Sequence, residues 1–394
     1  LDNSYIYIQG PPGTGKTFQA SNAIIELLKQ NKKIAITGLS HKVIHNLLQR
    51  VEDMAAEKQF KFNGFKKGNL EDDDTIFNGE NIKTYEKDPP FMDALKEKNV
   101  GNIFAGTKYH LANSYYDEKI DYLFIDEAGQ LSLADLISIG NIAKNIVLIG
   151  DQNQLGQPIR GTHPNNSGQS ILEYLLEGKD TIPEDKGVFL NKTYRLNSKI
   201  NNFISSNFYE ERLICDDRTD KRIIKFNNKS IIKKDGIHYI EMKHKNNVQT
   251  SIEEFEVVKS LMKQLIGVEF DDNGKKRKLT ANDFLIISPY NTQVNLLISK
   301  LEESKIKNPK VGTIDKFQGQ EAPITIISMT SSDNETLPRN KEFFFSRNRL
   351  NVAISRAQVV SVILFNPKLL DSSPKKIEHI KLMNNFFKFL NYKI

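Results

Sequence analysis

The chain has 394 residues, a length that suggests two or three domains and is enough to bury a large hydrophobic core. Its composition, with 39% hydrophobic and 26% charged residues, is that of an ordinary soluble protein, and the net charge of +6 permits a polyanionic partner without establishing one. A lone cysteine, Cys215, excludes disulfide frameworks and four-cysteine metal sites, and the lack of a long apolar run or a secretory signal predicts a cytoplasmic protein without a membrane span.

A glycine-rich loop at 10–17 lies between a predicted strand, 5–8, and a predicted helix, 18–29. The loop fits the pattern Gly, four residues, Gly-Lys-Thr, which surrounds the phosphates of a nucleotide with backbone N–H groups. In this pattern Lys16 reaches the β- and γ-phosphates, and the Thr17 hydroxyl binds Mg²⁺. A chance glycine turn is the alternative, but the residues and the flanking elements both agree with a nucleotide-binding loop. The predicted nucleotide-binding residues are Gly10, Pro11, Pro12, Gly13, Thr14, Gly15, Lys16 and Thr17.

Two further predicted strands, 33–37 and 102–105, are each followed by a polar loop. The loop after a parallel strand is where an α/β sheet places its ligands, so Ser40 and His41 could contact a nucleic-acid backbone. A helix N-cap followed by a solvated lysine explains the same residues equally well.

Hydrophobic periodicity weakens between about residues 52 and 100, in a segment that also holds two adjacent lysines and an Asp-Pro-Pro sequence. This composition predicts an insertion or a small subdomain. The acidic run 71–74 could chelate a metal ion, but a solvated run of charges is the favoured interpretation.

A strong predicted strand, 121–125, ends in two adjacent carboxylates, Asp126 and Glu127. Burying two carboxylates at the end of a strand costs free energy, so such a pair is expected to have a function. The nucleotide-binding loop upstream indicates which function this is. Asp126 would hold Mg²⁺ and Glu127 would orient and deprotonate the attacking water, whereas a helix N-cap is the alternative. The next strand, 145–149, leads to Gln154, which we expect to contact the γ-phosphate; a glutamine that only caps backbone groups is the alternative.

A linker-like segment, 177–186, separates this pattern from a second alternation of strands and helices that lacks a P-loop. The chain is therefore predicted to be an α/β protein with two units, 1–180 and 187–394. An Asn-Gly pair at 273–274 predicts the tip of an exposed basic hairpin, which fits a solvated loop better than a nucleic-acid contact. The predicted strands of the second unit are 187–190, 237–241, 284–287, 310–313, 323–329 and 359–365, and the predicted helices are 200–209, 253–265 and 377–390.

Arginines stand at strand ends and helix starts of the second unit. If two α/β units form a cleft, such arginines can stabilise the charge that builds on a transferring phosphoryl group, an effect worth about 10³ to 10⁵ in kcat. Hydrolysis would then couple to opening and closing of the cleft, which is the architecture of a motor. The candidates are Arg195, Arg347, Arg349 and Arg356.

Seven motifs stand in the order typical of superfamily 1 helicases, and the chain resembles the 5′→3′ branch of that superfamily. It looks most like the helicase half of bacterial proteins that fuse a RecB-like nuclease to such a motor, and it also resembles the RNA helicase of nonsense-mediated decay. The likeness covers nearly the whole chain apart from about 52–100 and 215–235, and it implies two tandem RecA-like lobes. The motifs are 10–17, 126–130, 150–155, 193–195, 288–293, 311–321 and 350–357.

The resemblance also implies roles for individual residues. Arg195 and Arg356 correspond to two arginine fingers and Gln154 to a sensor of the γ-phosphate, while we assign the other two arginines to salt bridges. Tyr194 corresponds to a residue that stacks on the nucleotide base, although it could instead pack at the lobe interface. The residues that correspond to the motif near the ribose and phosphates are Gly319 and Glu321. The residues where the family contacts the backbone of its nucleic acid are Ser40, Thr107, Pro289 and Thr313, of which Pro289 could also only shape a turn.

By this resemblance the chain is an ATP- and Mg²⁺-dependent helicase or translocase that acts as a monomer, 5′→3′, on single-stranded nucleic acid. ATP would be hydrolysed in the cleft between the lobes, and DNA is favoured over RNA as the polymer. Three alternatives stay open: an ATPase that remodels nucleic-acid complexes without separating strands, an inactive fragment that only binds nucleic acid, and a P-loop kinase of small molecules.

The sequence departs from the family before its P-loop. Neither the glutamine-bearing segment that reads adenine nor the β-barrel insertion of some relatives precedes the loop, and no nuclease constellation is visible. The first strand begins within a few residues of Leu1, and there is no initiator methionine. We therefore expect a C-terminal piece of a longer protein, with any covalently attached nuclease on an upstream portion.

Overall fold

The computed structural model describes residues 1–156, 164, 167–228, 230–333, 346–371, 380, 384 and 387. Its internal contacts divide the chain into two units. The first unit comprises Leu1–Pro11, Gly15–Gln152 and Gly156–Leu190, and the second comprises Pro12–Thr14, Asn153–Leu155 and Asn191–Ile394.

The first unit is built on one parallel sheet of eight strands. The strands are β1 (Tyr5–Gln9), β2 (Ile34–Thr37), β3 (Asn63–Lys67), β4 (Ile82–Tyr85), β5 (Asn102–Ala105), β6 (Ile120–Ile125), β7 (Ala143–Gly150) and β8 (Gly187–Phe189). The helices are α1 (Lys16–Lys29), α2 (His41–Glu57), α3 (Pro89–Lys96), α4 (Lys108–Leu111), α5 (Leu133–Gly140) and α6 (Ile171–Leu176). The strands lie in the order β4-β3-β5-β2-β6-β7-β1-β8.

Apolar residues cover both faces of this sheet, and β2 shows how. All four of its residues are buried. Ile34 and Ile36 pack in one cluster with Ile24 of α1 and Leu48 of α2, whereas Ala35, on the opposite face, belongs to a second cluster. A continuous apolar run is typical of a parallel strand that is covered on both sides, because successive side chains point to opposite faces. The predicted α/β class is confirmed.

Residues 52–100, predicted as an insertion or a small subdomain, extend the edge of the same sheet. They supply β3 and β4, and β3 pairs in parallel with β5. The carboxylate of Glu52, in α2, accepts hydrogen bonds from the backbone N–H groups of Asn81 (2.9 Å) and Ile82 (2.8 Å), which fixes β4 to the helix. The periodicity is weak because both strands are short and β3 carries two lysines. The acidic run 71–74 is exposed, as expected of solvated charges.

The strand predicted at 187–190 belongs to the first sheet and not, as expected, to the second unit. β8 pairs in parallel with β1, with Gly187 opposite Tyr7. This approach requires a glycine, since a Cβ atom on Gly187 would lie 2.0 Å from the carbonyl oxygen of Tyr7. The segment 177–186, predicted to separate the two units, therefore lies within the first unit, because composition cannot reveal a pairing with a strand so distant in sequence.

The second unit is built on a five-stranded parallel sheet, with one two-stranded and one three-stranded sheet. The strands are β9 (Lys192–Thr193), β10 (Ile214–Cys215), β11 (Arg222–Ile224), β12 (Gly236–Glu241), β13 (Glu269–Asp272), β14 (Lys275–Lys278), β15 (Phe284–Ile287), β16 (Val311–Gly312), β17 (Ala322–Ser328) and β18 (Ala357–Phe365). The helices are α7 (Ser198–Phe208), α8 (Ile252–Leu265), α9 (Asn291–Glu303) and α10 (Arg347–Ile354). The main sheet has the order β12-β18-β17-β15-β16.

The predicted basic hairpin is confirmed. Asn273 and Gly274, with φ angles of 55° and 89°, join β13 to β14, as expected of a tight turn that needs two left-handed residues. The terminal helix predicted at 377–390 lies outside the described residues, apart from three isolated positions. Among the helices that the structure describes, none is long and apolar enough to cross a bilayer.

Candidate functional site

The glycine-rich loop connects β1 to α1, as its sequence predicts. Gly15 takes the left-handed conformation immediately before α1, with a φ of 78°, and the backbone N–H of Gly10 donates to Gly150 at the end of β7 (2.9 Å). The Lys16 ammonium donates to the carbonyl oxygen of Gly10 (2.6 Å), so the lysine side chain folds back over the loop. Of the predicted nucleotide-binding residues, Gly10, Pro11, Gly15, Lys16 and Thr17 belong to the first unit, and Pro12, Gly13 and Thr14 cluster with the second.

The predicted carboxylate pair lies at the end of β6. Asp126 is buried, and its Oδ1 atom accepts a hydrogen bond from the backbone N–H of Glu127 (2.9 Å). Burial and, after it, the charge of Glu127 raise the pKa of Asp126 to about 7, while the charge of Lys16 acts to lower it. Lys16 and Asp126 therefore interact electrostatically within the first unit.

Glu127 has a strained backbone. Its φ of 53° lies in the left-handed region, and its side chain makes no capping hydrogen bond to the 3₁₀ turn that follows. The helix N-cap alternative is therefore wrong for Glu127. Strain of this kind costs on the order of 1 kcal/mol and is concentrated at functional sites.

The residues fit a magnesium ion that is completed by a nucleotide. No group of three or more His, Cys, Asp or Glu side chains suited to a metal occurs in the described part of the chain. Mg²⁺, however, is usually bound by one or two carboxylates together with phosphate oxygens and water, not by a cage of protein ligands. Asp126 and Thr17, the two predicted ligands, are of the right chemical type for that arrangement.

The predicted γ-phosphate sensor, Gln154, follows β7. It is buried, with 9% of its surface exposed, and it clusters with the second unit together with Asn153 and Leu155.

Arg195, a predicted arginine finger, contacts Glu321, a residue predicted to lie near the ribose and phosphates. Both belong to the second unit. The Arg195 guanidinium forms an ion pair with the carboxylate of Glu321 and donates to the carbonyl oxygen of Ser355 (3.2 Å). The other carboxylate oxygen of Glu321 accepts from Gln358 (2.8 Å). Burial acts to raise the pKa of Glu321, but the charge and hydrogen bond of Arg195 lower it overall. The second predicted finger, Arg356, is buried and donates to the carbonyl oxygen of the residue before Glu321 (3.2 Å).

The remaining predicted nucleotide residues are accessible. Tyr194 has 46% of its surface exposed, and the guanidinium carbon of Arg218 lies 5.3 Å from the centre of its ring. Gly319 has a φ of 78°, with open space where a Cβ atom would stand. The two arginines assigned to salt bridges differ: Arg349 pairs with Asp315 (3.4 Å), whereas Arg347 donates to a backbone carbonyl (2.6 Å).

The predicted nucleic-acid contacts follow adjacent parallel strands in each unit. Ser40 follows β2 and Thr107 follows β5, its neighbour in the first sheet. Pro289 follows β15 and Thr313 follows β16, its neighbour in the second sheet. Because the carboxyl ends of neighbouring parallel strands lie at one edge of a sheet, each pair marks the edge where α/β proteins bind ligands.

Ser40 is also the N-cap of α2, where its hydroxyl accepts from the backbone N–H of Val43 (3.4 Å). Next to it, the Nδ1 atom of His41 lies 2.8 Å from the ammonium of Lys66. Lys66 is fully buried and also donates to the carbonyl oxygen of Thr75. Sequence reasoning missed this lysine, since nothing in its spacing separates it from Lys67 beside it, which is partly exposed and pairs with Asp88.

Family models of known proteins match both halves of the chain. Residues 167–368 match a family model described as an AAA domain, and residues 1–159 match a second model with the same description. The chain is 28% identical to the DNA replication ATP-dependent helicase/nuclease dna2 of Schizosaccharomyces pombe, over 96% of this chain and 28% of that protein. It is 27% identical to the DNA polymerase alpha-associated DNA helicase A of the same organism, over 89% of this chain and 59% of that protein.

A third relative is named as an RNA helicase. The chain is 30% identical to the probable RNA helicase armi of Drosophila melanogaster, over 63% of this chain and 23% of that protein. The chain therefore spans less than two thirds of the length of each of these relatives.

Proposed function

Because the chain belongs to the AAA-domain family of superfamily 1 helicases, we propose that it is the motor portion of a nucleic-acid-dependent ATPase that moves along a single strand. The observation that carries the proposal is the first-unit set of Lys16, Asp126 and Glu127. A lysine on the nucleotide loop, a buried carboxylate that feels its charge (Asp126) and a second carboxylate beside it (Glu127) are the parts that phosphoryl transfer to water needs.

Each part of the site has a task in this reaction. Lys16 holds the β- and γ-phosphates, and Thr17 and Asp126 hold Mg²⁺, which supplies charge neutralisation when bound. Glu127 orients the attacking water and takes its proton, because its side chain is the more accessible of the two carboxylates. The residues proposed to act on the γ-phosphate are Gln154, Arg195 and Arg356, and those proposed to bind the base and sugar are Tyr194, Gly319 and Glu321.

The arrangement of strand ends supports a nucleic-acid track. We assign Ser40, His41 and Thr107 in the first unit to contacts with the phosphate backbone, which are independent of sequence. Pro289 and Thr313 take the same role in the second unit. The names of two relatives favour DNA over RNA, and the branch that the motifs resemble favours 5′→3′ movement. The name of the first relative also supports an attached nuclease in a longer protein.

ATP turnover measured with and without single-stranded DNA, and in parallel with RNA, tests this proposal. We expect strong stimulation by DNA, weaker stimulation by RNA, and a loss of at least about 100-fold in a Lys16→Ala variant, since one group that stabilises transition-state charge is typically worth that much. Turnover that no polymer stimulates would contradict the motor. Duplexes with a 5′ or a 3′ single-stranded end would then report direction, and stimulation without strand separation would identify a remodelling ATPase.

A further inference from the structure

A carboxylate is completely buried in the second unit. Glu254 lies in the first turn of α8, and its side chain has no exposed surface. Its two oxygens accept hydrogen bonds from the backbone N–H of Thr330 (2.9 and 3.0 Å) and from the Ser328 hydroxyl (2.5 Å). The Nε2 atom of His244 lies 3.2 Å from one of them. Burying a carboxylate costs free energy unless hydrogen-bond donors surround it, so Glu254 depends on these donors as much as they depend on Glu254.

The backbone that Glu254 holds is strained. Thr330 has a φ of 70°, although it is a β-branched residue and fully buried. The backbone N–H of Ser331 donates to the carbonyl oxygen of Met329 (2.7 Å), which closes a three-residue turn centred on Thr330. A γ-turn with a positive φ at its centre is the rare and strained form, and a β-branched residue there is an outlier. Such a turn persists only where surrounding contacts fix it, and the Glu254 carboxylate binds the N–H group at its centre.

The strained turn contacts both neighbours of a predicted nucleic-acid residue. The Thr330 hydroxyl lies 3.2 Å from the hydroxyl of Ser288, and the Ser331 hydroxyl lies 3.4 Å from that of Tyr290. Ser288 and Tyr290 are buried, whereas Pro289 between them is partly exposed. The turn therefore supports the loop from its buried side and leaves Pro289 accessible.

We infer that Glu254 is a positioning residue for nucleic-acid binding: it holds the strained turn at Thr330, and the turn fixes the Ser288–Tyr290 loop in the conformation that presents Pro289 to the strand. The inference rests on the proposed function, because it assumes that Pro289 contacts nucleic acid. If Glu254 loses its acceptor oxygens, the turn relaxes toward an unstrained conformation, and the hydroxyl groups of Thr330 and Ser331 no longer fix Ser288 and Tyr290.

Three variants of the full chain test the inference. In Glu254→Gln, one acceptor oxygen becomes an NH₂ donor, and in either orientation of the amide this donor faces the Thr330 N–H, because both oxygens of Glu254 accept from that group. We therefore expect the dissociation constant for a fluorescent single-stranded DNA to rise about tenfold. The KM for ATP without nucleic acid should stay unchanged. Thr330→Ser keeps both the hydroxyl and the N–H group, and it should bind DNA as the natural chain does.

Thr330→Gly keeps the test valid if Glu254→Gln does not fold. Glycine adopts a positive φ without strain and keeps the N–H bond to Glu254, so this variant should fold. It loses the contact with Ser288, and we expect DNA binding to weaken about threefold. Unchanged DNA binding in Glu254→Gln and Thr330→Gly, with DNA-stimulated turnover intact in the natural chain, would overturn the inference. Failure of the natural chain to bind DNA or RNA would overturn the proposed function, and the inference with it.

Discussion

At the scale of single residues, Lys66 determines how its neighbour His41 can act. An ammonium group only donates hydrogen bonds, so the Nδ1 atom of His41, 2.8 Å away, must be the acceptor. The proton of the neutral ring is therefore on Nε2. Burial, and then the charge of Lys66, lower the pKa of His41, which keeps the ring neutral at pH 7. If His41 contacts a phosphate, it does so as a neutral donor, and the contact should persist well above the usual pKa of histidine.

Lys66 should give the protein a pH-dependent stability above pH 8. Burial lowers the pKa of Lys66 from 10.5 to about 8, so between these values the unfolded chain binds a proton that the native state does not. Stability therefore rises with pH across this window, by roughly 1.4 kcal/mol per pH unit, and below pH 8 this residue contributes no slope. Urea denaturation at several pH values, with Lys66→Met as the reference, measures the effect. A stability difference between the two proteins that is constant from pH 7 to pH 10 would contradict it.

At the scale of elements, Ser40 combines two functions at the start of α2. Its hydroxyl caps the helix, and it stands at the sheet edge where a strand of nucleic acid is proposed to bind. The two functions can be separated because Asp and Asn are both good N-caps but differ in charge.

The matched pair Ser40→Asp and Ser40→Asn tests the nucleic-acid contact. Both variants should unfold within about 0.5 kcal/mol of the natural chain, since each keeps an oxygen that accepts the Val43 N–H. If a phosphate lies at this edge, the aspartate should weaken binding of single-stranded DNA by about tenfold through like-charge repulsion, and the asparagine much less. Equal affinities for the two variants would show that Ser40 is only a cap.

Local patterns predict the elements that are defined by their own residues. The strand at 284–287 has the predicted bounds, because it is an apolar run with all four residues buried. Both carboxylates after β6 are where the sequence expects them, because their position depends only on the strand before them. The place of β8 in the first sheet, by contrast, depends on its pairing with β1, which is distant in sequence. Thr330 is a similar case: threonine is a residue type that avoids positive φ, so it gives no sign of a turn that Glu254 holds from α8.

At the scale of the whole molecule, the chain has little surplus positive charge to attract a polyanion. It carries 55 Lys and Arg against 49 Asp and Glu residues, so affinity for nucleic acid must depend on where a few groups stand. The hairpin of β13 and β14 is the most basic exposed segment of its sheet, but its lysines face carboxylates. Lys275 is opposite Asp272 and Lys276 is opposite Asp271 in the strand register, which reduces the net field of the hairpin.

A double variant, Lys275→Gln with Lys276→Gln, should therefore leave nucleic-acid binding unchanged. The dissociation constant for single-stranded DNA should stay within about twofold at every salt concentration. The plot of log affinity against log salt should keep its slope, because each lysine that truly neutralises a phosphate contributes about 0.7 to that slope. A slope reduced by more than 1 would mean that the hairpin is part of the nucleic-acid track.

The strand order of the first sheet has a consequence for the synthesis of the protein. β1 is the earliest strand of the sheet, yet its neighbours are the two latest, so that residue 5 pairs with residue 146 and residue 7 with residue 187. At about 5–20 residues per second, a ribosome needs on the order of ten seconds or more to supply those partners. During that interval the segment that carries the P-loop has no sheet to join. ATP can therefore stabilise the first unit only after translation has supplied β7, which pairs with β1 along its whole length. Until then the nascent chain exposes apolar surface that chaperones can protect.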